Sequence, residues 1–358
     1  MSNKNAGTLQ SRQNHFIKFI KKIKLGNNVA LKGYTLLVRN LIMSCYAADL
    51  AAGENLVCKT IKAKTIKKYL AAAAELSIQS QMMNPTLNLM GKESKFIGDV
   101  LHELKRWEKM PNRREPVTTE MIEFIVTKGK TYKDQDNIYS SMGDWLIIGE
   151  QAGCRRLEWA QECSHLNKYK TYQRNIDGTS TAFILDDFEF RGSNNVRIDN
   201  HNDEEVMNSE TVHLKWRYQK NLDNGQVIQY LRDKEHSKHC FVKAAIRIRN
   251  RAIRLSIAKG NPVSVFKDKG KAVYINDKHI CSLLQEAAKK VHGITCKEDL
   301  ARFTTHSIRV GACVKLHESG IDAETIKIRL RWKSDAFRAY LRNVIAIAKK
   351  HRDILRSQ

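Results

Sequence analysis

Residues 304–320 read TTHSIRVGACVKLHESG, and the reading of this stretch decides the fold assigned to the chain. As a helix it sets His306 and Arg309, three residues apart, on one face. A histidine beside an arginine can combine proton transfer with anion binding. The pair alone is also what a capping histidine and a surface arginine would show. Its meaning therefore depends on what the rest of the chain offers.

Upstream, AGCRRLEWA (152–160) offers Arg155 with Glu158 one helical turn later. Arg156 competes with Arg155, but Gly153 and Cys154 before it and the spacing to Glu158 favour Arg155. Between the two stretches, TVHLKWRYQK (211–220) alternates apolar and polar residues and leads through NLDNG to QVIQYL, a hairpin announced by Asn224–Gly225. Lys220 ends that strand at the lip of the turn. Lys215 competes with it, but alternation turns Lys215 away from the face of Val212, Leu214, Trp216 and Tyr218 and into solvent. Downstream, RWKSDAFRAYLRN (331–343) supplies Trp332 and Tyr340, which alone would read as core aromatics of a C-terminal helix pair.

The order Arg155, Lys220, His306, Arg309, Trp332, Tyr340 resembles the tyrosine recombinases of the phage integrase superfamily, from about Lys62 to the end. Gly153, Cys154, Arg155 and Glu158 match the family's G-L-R-x-x-E segment, and His306, Ser307, Ile308 and Arg309 its H-x-L-R helix. The form around Trp332 and Tyr340 is most similar to recombinases of eukaryotic or viral mobile elements. The resemblance implies a mainly α fold with a small antiparallel β-sheet: a helical core-binding domain and an α+β catalytic domain forming a C-shaped clamp on DNA. It implies a 3'-phosphotyrosyl intermediate with Tyr340 as nucleophile, Lys220 as acid for the 5'-oxygen, His306 assisting proton transfer, and Glu158 orienting Arg155. It further implies double-stranded DNA as partner and a homotetramer on paired sites. Type IB topoisomerases and telomere resolvases share this chemistry, and a catalytically silent DNA-binding relative would keep the clamp alone.

The residue types suit that chemistry. Arg155 and Arg309 present planar forks able to grip the non-bridging oxygens of a phosphodiester. A phenol with a pKa near 10 leaves more readily than an alcohol, so a tyrosyl phosphodiester retains the energy of the broken bond and can be reversed without ATP. The Trp332 indole N–H can donate to a phosphate oxygen. Three departures stand out: Trp332 precedes Tyr340 by eight residues, one fewer than usual; the common L-G-H is Leu330, Arg331 and Trp332; and Val310 follows Arg309 where many members carry histidine.

The bulk properties agree. A net charge of +24 over 358 residues calls for a polyanionic partner. It divides as +11 up to Asn112 and +13 beyond, which suits a duplex held from two sides better than a small anion in one pocket. No stretch approaches the roughly 20 apolar residues that span a bilayer, and the N-terminus lacks a secretory core, so the expected location is intracellular, with DNA. There is no P-loop, no carboxylate cluster for two-metal chemistry, and the eight cysteines are irregularly spaced. Cofactors and metals are therefore not expected, nor a small-molecule substrate.

At this length two domains are expected. MPNRREPVTT (110–119), with two of the four prolines, reads as an exposed connection. The boundary is placed there, giving a helical DNA-binding domain at 1–112 and a catalytic domain at 113–358. The acid-free first 48 residues, with Phe16, Phe19, Ile20 and Ile23 along one face, form a basic amphipathic arm or first helix. After the hairpin the chain reads as helical from His239 on, and VIAIAKKHRDILRSQ (344–358) reads as a docking element for a neighbouring subunit.

Overall fold

The computed structural model describes residues 3–53, 61–108, 113–161, 180–219, 223–235 and 237–341. Lys220 and the segment 344–358 lie outside the described residues. The chain divides into two compact units, Met1–Pro111 and Asn112–Gln358.

The first unit holds four helices among its described residues: α1 (Asn3–Lys22), α2 (Leu36–Ala52), α3 (Ala63–Gln79) and α4 (Lys95–Trp107). Phe16, Phe19 and Ile20 of the basic segment are buried against Tyr46, Ile66 and Leu70 and its lysines are the solvated face, whereas Ile23, expected on the same stripe, lies past the end of α1 and is exposed. Thr35 caps α2 by accepting from Val38 N–H, and Gly53 ends it in the left-handed region.

The second unit is built on α5 (Thr119–Lys130), α6 (Ile138–Ala152) and the short α7 (Arg156–Trp159). Next come strand β1 (Phe188–Arg191), helix α8 (Asp203–Met207), and strands β2 (Thr211–Trp216) and β3 (Gln226–Leu231). Helix α9 (Phe241–Arg254), strands β4 (Val265–Asp268) and β5 (Lys271–Tyr274), and helices α10 (Asp277–His292), α11 (Lys297–Leu300), α12 (Ser307–Glu318), α13 (Ala323–Arg329) and α14 (Arg338–Leu341) complete it. Helix α6 is almost wholly buried, and its polar residues Ser141, Asp144 and Glu150 are each bonded, to the Val265 carbonyl, to Arg247 and Arg251, and to Lys315. No helix among the described residues is long and apolar enough to cross a membrane.

There are two small antiparallel sheets where the sequence suggested one. The first runs β1-β2-β3, with Leu214 opposite Phe188 on one side and Ile228 on the other. The expected hairpin is present, but its strand ends at Trp216, because Gly225 N–H bonds the Trp216 carbonyl and closes the ladder there. The second sheet is the β4–β5 hairpin, which interrupts the helical run expected after His239. Its loop, Lys269–Gly270, has both residues at positive φ, the two-residue turn that matches strand twist. A lysine at the first loop position hid the signal that Asn-Gly gives elsewhere.

The connection before α5 is not simply exposed. Val117 is buried, and its N–H bonds the Ser307 carbonyl at 3.2 Å. Gly311 of α12 permits this: a Cβ there would stand 2.5 Å from the Val117 carbonyl oxygen.

Candidate active site

Three chain ends meet in the second unit. Helix α6 stops at Gly153, which is left-handed with φ +55°, and a Cβ there would lie 2.7 Å from Leu330 Cδ2. The chain turns at once into α7, putting Arg155 at its N-terminus. Glu158 reaches back, its Oε2 accepting from the Arg155 N–H at 2.7 Å and its Oε1 from Arg155 Nη1 at 3.0 Å. Glu158 is 5% exposed and also accepts from Trp216 Nε1 of β2 at 3.3 Å and Arg331 Nη2 at 3.0 Å. Arg156 instead meets Asp277 at 3.2 Å, so the two neighbouring arginines diverge.

Helix α12 begins just after His306 and carries Arg309 one turn in, packed where Ile308 meets Gly149 of α6. Arg309 is buried, at 2% exposure. Its Nη1 donates to the Gly153 carbonyl and its Nη2 to the Leu330 carbonyl, and its guanidinium lies 4.4 Å from the Trp332 ring centre. Among the described residues no carboxylate bonds it. Burial first, then Arg155, push its pKa down to about 9, with Glu158 acting the other way; that is still above neutrality, so the charge persists.

Helix α13 stops at Leu330 in a Schellman turn, with Arg331 N–H on the Ile328 carbonyl and Trp332 N–H on the Lys327 carbonyl. Arg331 takes the left-handed position of that turn, φ +56°, which costs a non-glycine residue about 1 kcal/mol. This turns its carbonyl inward, where it accepts from Arg155 Nη2 at 3.0 Å and Arg309 Nη2 at 3.5 Å. Its own guanidinium stacks 3.8 Å from the Trp216 ring centre and reaches Glu158 and the Ala152 carbonyl.

After Trp332, a tight turn at Asp335–Phe337 buries Phe337 and leads into α14, which presents Tyr340. The Tyr340 hydroxyl is 2.7 Å from His306 Nε2. The eight-residue step from Trp332 is thus long enough to bring the tyrosine onto its own chain's histidine. Arg113 fastens this segment by donating to the Ala339 carbonyl at 2.7 Å. Burial lowers the His306 pKa, helped by Arg309, Arg114 and Arg155, so the imidazole is neutral near pH 7. Burial raises that of Tyr340, with Arg309 opposing. With its proton on Nδ1, the neutral ring accepts from the phenol. Trp332 Nε1 is buried, and among the described residues it has no hydrogen-bond partner.

The structure thus brings together Arg155, Glu158, His306, Arg309, Trp332 and Tyr340. Lys215 is exposed on β2, opposite in sense to its buried neighbours Leu214 and Trp216. Sequence reasoning passed over Arg331 and Trp216, although Arg331 stands where the resemblance would put glycine. A separate open groove along β3 and α13, lined by Tyr230, Leu231, Ile328 and Arg329, contains none of these groups. Among the described residues no cluster of His, Cys, Asp and Glu could hold a metal ion.

No family model matches the chain, and no curated protein does. Among solved structures it is similar to the Tn1549 transposon integrase in complex with transposon right end DNA, at 12% identity over 93% of this chain and 88% of that one, TM-score 0.47. It is also similar to the XerH site-specific recombinase bound to a palindromic difH substrate, at 12% identity over 91% and 74%, TM-score 0.45. A third is the XerA recombinase, at 13% identity over 99% and 92%, TM-score 0.37. These likenesses are too distant to assign a family.

Proposed function

We propose that the protein cuts and rejoins duplex DNA as a tyrosine site-specific recombinase or integrase. One observation carries this: the Tyr340 hydroxyl bonds His306 at 2.7 Å beside Arg309, a buried cation with no carboxylate partner among the described residues. That arrangement supports reading Tyr340 as the nucleophile, His306 as its base and Arg309 as part of an anion site, all within one chain. Tyr340 Oη attacks the scissile phosphorus as its proton passes to His306 Nε2. The P–O5' bond breaks, and the 5'-oxygen takes a proton from Lys220, the residue to which the family resemblance gives that role. Arg155, Arg309 and the Trp332 indole neutralise the non-bridging oxygens as charge grows on them. A DNA 5'-hydroxyl reverses the step, so neither nucleotide nor metal is needed. Attack is in cis. The unit from residue 113 supplies the chemistry, the basic helical unit before it supplies duplex binding, and the working form is a tetramer on paired sites.

The test uses nicked suicide duplexes tiling the DNA that flanks the coding sequence. Wild-type protein should give an SDS-resistant adduct and Tyr340→Phe none. No wild-type adduct, or an equal one from Tyr340→Phe, would sink the proposal. Recombinant junctions from paired sites, against simple relaxation of supercoils, separate a recombinase from a topoisomerase.

A further inference from the structure

We propose that Arg331 is a positioning residue of the cleavage reaction, carrying the charge of Glu158 so that Arg155 stays available to the phosphate. This rests on the reading of Tyr340 as nucleophile. Glu158 is buried and accepts from both Arg155 and Arg331. With one arginine it would be a buried carboxylate whose whole attraction fell on Arg155, the half-buried arginine that faces the site with 21% of its side chain exposed. With two, the carboxylate is balanced from the far side by a guanidinium that is 1% exposed and clamped over Trp216.

The residue's conformation supports a use for its side chain. The left-handed place in a Schellman turn favours glycine, and a glycine there would serve the turn and the inward carbonyl equally well. What only arginine adds is the bidentate fork that reaches Glu158 and the Ala152 carbonyl together. Two guanidinia on one carboxylate, with Arg309 beside them, also leave the site positive, which suits a phosphorus centre gaining negative charge as the phenolate adds.

Arg331→Gly separates the two contributions, because it keeps the turn and its carbonyl while removing the charge. On the nicked duplex that wild-type protein cleaves, the rate of adduct formation at saturating DNA should fall about 10–100-fold, as when a supporting partner behind a contact residue is lost. DNA affinity should stay within about threefold. Adding Glu158→Gln to Arg331→Gly should recover about tenfold of the rate, since the charge needing balance is gone; a purely packing role over Trp216 predicts no recovery. Arg331→Lys, which retains the charge, should lie within about tenfold of wild type, and it keeps the test open if the glycine variant does not fold. Wild-type rates in Arg331→Gly, no gain in the double variant, or a lysine variant as slow as the glycine one would each overturn the proposal. Absence of any wild-type adduct would overturn the Tyr340 reading as well, whereas an intact wild-type adduct with an unaffected Arg331→Gly would overturn this inference alone.

Discussion

Arg251 and Arg309 lie in the same unit and are equally hidden from water, at 3% and 2% exposure, yet they are satisfied in opposite ways. Arg251 meets two carboxylates, donating to Asp144 at 2.7 Å with Asp136 at 3.6 Å, and Arg247 and Arg254 share the same acids. Among the described residues Arg309 donates to carbonyls and to no carboxylate. A buried cation matched by carboxylates is complete in the folded protein and ties α6 to α9. A buried cation held by neutral dipoles retains an uncompensated charge, and the natural remedy is an anion that arrives from outside. The two corners thus set an ion-pair network that holds the fold beside a buried guanidinium held by carbonyls, the one proposed to receive the scissile phosphate.

The comparison breaks if the two arginines respond alike to one change. Arg251→Met takes away the buried guanidinium between Asp136 and Asp144, leaving them only Arg254 and Arg247 nearer the surface, and should cost about 1–3 kcal/mol of stability in chemical denaturation, while cleavage per folded molecule stays unchanged. Arg309→Met strands no carboxylate and should cost much less stability, but adduct formation should drop about 10²–10³-fold, as when a donor to a developing anion is removed. Equal stability losses with no kinetic difference would erase the distinction.

A smaller effect is expected from pH. Because the His306 pKa lies below its usual value of 6.5, the rate should be level above that point and fall about tenfold per unit once pH drops beneath the lowered pKa. The linked stability has the same sign: the fold resists protonating His306, so its contribution is present above 6.5 and is lost as pH falls. A rate that rises on acidification would remove His306 as the base. The smallest effect should come from Arg156→Ala, which breaks a partly solvated pair with Asp277: under about 1 kcal/mol, with unchanged cleavage. A loss as large as that of Arg155→Ala would reverse the assignment of the two neighbours.

Much of the grouping that the structure brings together was legible because spacing and order mark its members. His306 and Arg309 sit at helical spacing, and Arg155 is marked by Glu158 three residues on. Strand alternation gave the exposure of Lys215 correctly, since period two needs no tertiary information. The second hairpin was not legible, because Lys-Gly is a weaker turn cue than Asn-Gly and its strands have only four residues each. Nor was the course of the connection before α5, whose charges and prolines suggest solvent while Val117 goes into the core.

The sequence by itself determined which chemical groups the protein owns: an amphipathic basic first helix, an alternating hairpin, and an ordered set of arginines, histidine, tryptophan and tyrosine. Only the tertiary structure decided how those groups divide their labour. Nothing local separates Arg309, which is held by carbonyls, from Arg251, which is paired with two aspartates. Nothing local marks Arg331 as more than a basic residue near the C-terminus. A side chain's charge is fixed by its covalent structure, but its counter-ion and its desolvation are set by chain segments far away in sequence. Arg155 and Arg331, 176 residues apart, meet at one carboxylate and one carbonyl only because α6 and α13 end against each other.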